Sequence, residues 1–356
     1  MLTSRAEEDI ERFLHGKPHI ERRSMGIQGR SNKADVAAYI RHRLEEIATI
    51  RALPANWPQD DRKNALINKS EGLFIWAATV CDFLALQLDP SRHLDTLLSN
   101  HGTSGLRAEI KMDKLYLTIL GTCNWEDEDF VHGYALLIGT IMAAKVPLSA
   151  SVLQYLHRTF LTVRVVDVLQ PLGSLLTGLT EELEPIRILH LSFRDFLTVR
   201  ARSSPDSVCY YVNEKEHGQR LALMCLVTMN EHLKRDICGI EDLTMPTSEI
   251  DGIAETIRKC VTEPLWYACR LWTEHLAQVE GPVSDQFAGM LRRVLSKHLL
   301  SWMEVMALKG VLRDMTDMLL TLRNWLQVST ICGHSLAMIF MTSVSHGKLY
   351  LMGQTL

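Results

Sequence analysis

Apolar residues recur three and four positions apart along most of the chain and strict alternation is scarce, so the pattern predicts helices. In ADVAAYIRHRLEEIATI, Val36, Ile40, Leu44 and Ile47 fall on one stripe while Arg41, Arg43, Glu45 and Glu46 fall off it. This is an amphipathic helix ending before Pro54. Asp60 and Asp61 cap a helix through Ile67, and Gly72 opens a second, almost wholly apolar one, GLFIWAATVCDFLALQL. A helix so apolar must sit inside a bundle. Asp89-Pro90 stops it, and Asn100 to Gly105 reads as a loop.

Helical patterns continue over about 111–120 and 127–144, and Pro147-Leu148-Ser149 turns into a short helix with Val152, Leu153 and Leu156. VVDVLQPLGSLLTGLTEE reads as a helix interrupted by Pro171. The β-leaning IRILHL and then SFRDFLTVR follow it. Short helices, a brief strand and a final helix are the pattern of a winged-helix module. From Glu214 the chain is helical again, over 214–233, 248–260, 263–278, 284–300 and 301–325, whereas the tail after about Val328 has no clean period.

The 356 residues carry a net charge of -4 and are 47% hydrophobic, enough to bury a substantial core and contrary to a general nucleic-acid surface. Eight cysteines are scattered without metal-ligand spacing, which fits reduced thiols of a cytoplasmic protein. The start lacks signal-peptide character, and the most apolar window, Gly72 to Leu86, is too short to span a bilayer, so no membrane partner is expected. No G-x-x-x-x-G-K-[ST], H-E-x-x-H, G-x-S-x-G or G-x-G-x-x-G occurs. No catalytic constellation and no metal site can be assembled.

Four places could carry chemistry. Arg5, behind Leu2-Thr3-Ser4, could reach a γ-phosphate from a strand end, or be an ordinary surface arginine. Gly72-Leu73-Phe74 could admit a base at a helix N-terminus, or be a capping glycine beside a core aromatic. His190, before Leu191-Ser192-Phe193, could donate a ring N–H to a phosphate oxygen, or bond a backbone carbonyl in the core. Trp266, Tyr267, Arg270, Trp272 and His275 suggest bundle packing with a snorkelling arginine rather than nucleic-acid stacking.

Five blocks in order, LTSRAEEDI, DVAAYIRHRLEEI, EGLFIWAATVCDFL, ILHLSFRDFLTVR and LWYACRLWTEHL, resemble fungal NACHT-type signal-transduction NTPases, the NLR-like proteins of basidiomycetes. The resemblance covers roughly residues 1 to 325. It implies a mainly α architecture: an α/β remnant of the NTPase core over 1–30, a small helical domain over 31–110, a winged-helix domain over 111–203, a helical arm over 204–327 and an irregular tail over 328–356. The Walker A loop and the magnesium-binding acidic strand would lie upstream of Met1.

In that family the arginine of the T-S-R segment senses the γ-phosphate, a role that falls on Arg5. A Gly-Leu-Pro motif beside the adenine falls on Gly72, Leu73 and Phe74, with phenylalanine in place of proline. The histidine before S-F-x-D/E-F holds the β-phosphate of ADP in the inactive state, which places that role on His190. The resemblance therefore implies ADP or ATP with Mg in longer relatives and no hydrolysis by this chain alone. The implied role is to relay nucleotide state to domain opening and oligomerisation through protein partners, self-association with full-length relatives among them. The rival expectation is a helical interaction module that binds such relatives without nucleotide.

Overall fold

The computed structural model describes residues 12–13, 15, 17, 30–54, 56–99, 105–240 and 251–328. Arg5, nearly all of the expected α/β remnant and the tail beyond Val328 lie outside the described residues. The fold is mainly α, as the periodicity predicts. The chain divides into two compact units, Met1–Lys111 and Met112–Leu356.

The first unit contains α1 (Arg30–Ile50), α2 (Asp60–Ser70), α3 (Phe74–Leu86), α4 (Pro90–Ser99) and the start of α5 (Ala108–Leu120). The stripe Val36, Ile40, Leu44 and Ile47 is fully buried, and α1 packs on α3. Trp76, Val80, Cys81, Phe83 and Leu84 of α3 fill the same core, as expected for a helix apolar on every side. Two corrections apply here. Gly72 does not open α3: Leu73 is its N-cap, and Gly72 lies in a turn at φ 80°. Asp89-Pro90 not only stops α3 but starts α4, because proline is tolerated in a first helical turn, where its missing N–H has no intrahelical partner to lose.

In the second unit α5 continues into α6 (Glu128–Ala143), α7 (Ala150–Leu156), α8 (Val165–Leu169), β1 (Leu176–Thr177), β2 (Arg187–Ile188) and α9 (Leu191–Thr198). The stretch expected as a helix broken by Pro171 is corrected. It ends in a 3-10 turn, Gln170–Leu172, and then enters β1. Gly178, at φ 79°, turns the chain out of β1 where its missing Cβ would stand 2.4 Å from the Pro185 carbonyl oxygen. Leu176 pairs with Ile188 and Thr177 with Arg187 in an antiparallel hairpin. A bridge between Ser149 and Pro185, and an Ile186 N–H donating to the Leu148 carbonyl at 2.8 Å, fasten the hairpin to the entry of α7.

The rest is α10 (Glu214–His232), α11 (Ile253–Cys260), α12 (Glu263–Leu276), α13 (Asp285–Arg293), α14 (Leu299–Leu308) and α15 (Met315–Val328). Here α10 lies along α12 and α6, and α12 also meets α15. A π-helical turn, Val294–His298, joins α13 to α14, so the break expected at 300 falls instead at Gly310, φ 71°. Asp127, Ser149, Asn213 and Ser284 cap α6, α7, α10 and α13 by accepting first-turn N–H groups, each cap contributing about 1 kcal/mol.

Candidate functional site

Gly72, Leu73 and Phe74 belong to the first unit and His190 to the second; Arg5 lies outside the described residues. Each group has its own geometry.

Two successive left-handed residues, Glu71 at φ 52° and Gly72 at φ 80°, reverse the chain between α2 and α3. A left-handed non-glycine residue is strained by about 1 kcal/mol, and the Glu71 side chain is tied down on both oxygens. It accepts from the Gly105 N–H at 2.9 Å and pairs with Lys111 Nζ at 3.1 Å. The Gly105 N–H, and then Lys111 and Lys33, hold the Glu71 carboxyl below the usual range against its partial burial. Lys111 is only 2% exposed and its ammonium also lies over the Trp76 ring.

This turn leaves little backbone to offer a ligand. The Gly72 carbonyl accepts from Asn32 Nδ2 at 2.7 Å, the Leu73 N–H donates to Ser70, and the Leu73 carbonyl accepts from Ala77. Phe74 is 47% exposed and rests against Tyr39, with ring centroids 4.7 Å apart. The structure thus makes Phe74 an exposed aromatic on Tyr39 rather than a core residue, and what the triplet offers is one ring.

His190 is the N-cap of α9, and its ring replaces the usual serine or aspartate. Nδ1 accepts from the Ser192 N–H at 3.2 Å, an arrangement that in a neutral ring puts the N–H on Nε2. Ser192 Oγ lies 2.6 Å from the same Nδ1 and 2.6 Å from the Tyr116 hydroxyl. Burial pushes the Tyr116 phenol up to about 12, so it stays protonated, and either hydroxyl can donate in its contact with Ser192. Tyr116, Ser192 and His190 thus form one connected series that ends at Nδ1.

Tyr116 is fixed by Phe193 and Phe196 of α9, whose rings lie 5.0 and 5.6 Å away. Arg200 donates to both oxygens of Asp113 on α5 and to the Ser192 carbonyl at 2.9 Å, closing the far end of α9. The sequence reading named His190 but missed Ser192, Tyr116, Asp113 and Arg200. Tyr116 and Ser192 are 76 residues apart, and no local pattern joins them.

The aromatic set on α12 takes the bundle role. Tyr267, Trp272 and His275 are buried, His275 Nε2 lies 2.8 Å from the Tyr267 hydroxyl, and Trp272 meets Trp302 edge to face at 5.7 Å. Arg270 and Lys309 lie over the half-buried Trp266 ring. Among the described residues no group of three His, Cys, Asp or Glu could hold a metal ion, and no helix is long and apolar enough to cross a membrane.

The fold and this site define a mainly α protein in which a helix-and-hairpin region carries a histidine as a helix N-cap. The chain is similar to vegetative incompatibility protein HET-E-1 of Podospora anserina, with 23% identity over 358 residues that cover 94% of this chain and 24% of that protein. It thus spans about a quarter of the length of that relative. No family model matches the chain, and no solved structure matches it.

Proposed function

We infer that the chain is the coupling portion of a nucleotide-switched signalling protein of the NACHT type, akin to the NLR-like proteins of basidiomycetes. In this reading residues 111–203 are a winged helix. It presents the His190 Nε2–H to the β-phosphate of ADP, Arg5 answers the γ-phosphate, and Phe74 with Gly72 and Leu73 borders the adenine. ADP or ATP with Mg belongs to the longer assembly, the chain alone hydrolyses nothing, and it works in the cytoplasm through protein partners of its own kind. The observation that carries the reading is the His190 cap. Nδ1 is occupied as an acceptor, which in a neutral ring puts the donor on Nε2. The similarity to an incompatibility protein over nearly the whole chain supports it.

A donor contributed by one domain to a nucleotide in another couples nucleotide state to domain arrangement, because losing the contact favours the open form. The test is titration of labelled ADP against the purified chain, wild type and His190→Ala. Saturable binding weakened by the substitution is the expected result; no binding at millimolar ADP refutes a nucleotide role for this chain. The absence of a phosphate-cradling glycine loop from the sequence favours a second reading, a helical module that binds longer relatives without nucleotide. Unchanged association with such a relative in His190→Ala, together with no ADP binding, would select it.

A further inference from the structure

The Ser192 hydroxyl sits between two partners at equal distance. Its Oγ lies 2.6 Å from His190 Nδ1 and 2.6 Å from the Tyr116 hydroxyl, and it has a single proton to give. Two arrangements bond all three groups. In the first, Tyr116 donates to Ser192 and Ser192 donates to Nδ1, so a neutral His190 carries its N–H on Nε2. In the second, Ser192 donates to Tyr116 and turns a lone pair toward Nδ1, and so close a contact then requires a proton on Nδ1. The second arrangement costs the helix cap, because a protonated Nδ1 cannot accept the Ser192 N–H aimed at it from 3.2 Å.

Tyr116 is placed to decide between them. It is 1% exposed and Ser192 8% exposed, so little water competes for either hydroxyl. Phe193 and Phe196 fix the Tyr116 ring, and a phenol is a stronger donor than an aliphatic alcohol.

We propose that Tyr116 is a positioning residue for His190: its hydroxyl donates to Ser192, directs the Ser192 proton onto Nδ1, and so reserves the ring N–H for Nε2. The tautomer follows from the geometry alone, whereas its consequence for nucleotide rests on the reading of Nε2 as the phosphate donor. Because Tyr116 belongs to α5 and His190 to the cap of α9, the donor depends on α5 staying beside α9. Asp113, one turn before Tyr116, secures that placement through Arg200, which also donates to the Ser192 carbonyl.

The experiment compares the full chain with Tyr116→Phe, which keeps the ring against Phe193 and Phe196 and removes only the hydroxyl. Nitrogen-15 spectra of histidine-labelled protein read the His190 tautomer, and titration of labelled ADP reads the donor. The expected result in Tyr116→Phe is an Nδ1 signal displaced toward that of a protonated nitrogen, with ADP affinity lowered roughly threefold to tenfold, the weight of one hydrogen bond. Added to Ser192→Ala, the same exchange should displace the signal no further, since Tyr116 acts through Ser192. Ser284→Ala, which removes a helix cap elsewhere in the unit, should leave both readings at their wild-type values. An unchanged Nδ1 signal in Tyr116→Phe overturns the proposal whether or not ADP binds, and so does an equal displacement in Ser284→Ala. A displaced signal beside absent or unaltered ADP binding upholds the positioning role and refutes the nucleotide reading of Nε2.

Discussion

In the unit that ends at Lys111, several side-chain contacts between elements carry formal charge, beside the neutral and buried Ser70 and Thr79. Lys111 pairs with Glu71, Arg43 reaches Asp82 at 2.8 Å, and Arg51 and Lys69 donate to the carbonyls of Ala85 and Leu97. In the unit from Met112 the deepest contacts are neutral: His157 with Thr140 at 2.8 Å, His275 with Tyr267, the Trp302 indole on the Cys269 carbonyl, and the Tyr116–Ser192–His190 series. Both strategies pair polar side chains within a helical core, while His157 Nδ1 and His275 Nδ1 have no hydrogen-bond partner there. They differ in what breaks them, because a buried carboxylate and a buried imidazole fail at different pH.

Acid gives the largest separation. Burial, followed by the nearby Arg220, His217 and His132, lowers His157 to about 4; burial, then Lys145, lowers His275 to about 4. A lowered histidine binds its proton more readily when unfolded, so its contribution is complete above about pH 6.5 and is lost as pH falls toward 4. Each site is worth on the order of 3 kcal/mol across that window. Glu71, lowered instead of raised, contributes above about pH 4.5 and is lost only as pH drops through its folded value. Hydrogen exchange followed peptide by peptide from pH 7 to 4.5 should therefore loosen α6, α7 and α12 first and leave the Glu71 turn protected. Simultaneous loosening would break the comparison.

Gly178→Ala comes next. It forces a side chain onto a left-handed turn and into the Pro185 carbonyl, so it should destabilise the second unit by about 3 kcal/mol, read as a fall in the denaturant midpoint. Glu71→Gln sharpens the other side. It leaves Lys111 buried and unpaired and should cost about 2 kcal/mol, reduced from the fully buried case because Glu71 keeps a third of its exposure. Raised salt should reproduce only part of that loss, since Lys111 is buried while Glu71 is a third exposed. Ser192→Ala is the smallest, about 1 kcal/mol, because it strands the Tyr116 hydroxyl while the backbone cap on His190 persists.

Much of this fold was legible in the sequence because helical stripes map directly onto burial, as at Val36, Ile40, Leu44 and Ile47. The misreadings share a cause. Leu175, Leu176 and Thr177 are apolar enough for helix or strand, and what decides is pairing with residues ten and more positions away. Gly72 looked like a helix opener because its sign of φ is invisible in the sequence, and the 90–99 helix was hidden behind a proline taken only as a stop. At the site, His190 was legible as a candidate from its place before Ser192-Phe193, whereas the Tyr116 hydroxyl that extends its hydrogen-bond series lies 76 residues from Ser192 in the chain.

That tautomer is the central claim, and nitrogen-15 NMR of histidine-labelled protein at pH 7.5 tests it most directly, with His190 assigned from the His190→Gln spectrum. The account predicts an unprotonated Nδ1 and a protonated Nε2, with the Nδ1 signal shifting in Ser192→Ala. A proton on Nδ1 would contradict it, since that nitrogen could then neither cap α9 nor leave Nε2 as the donor.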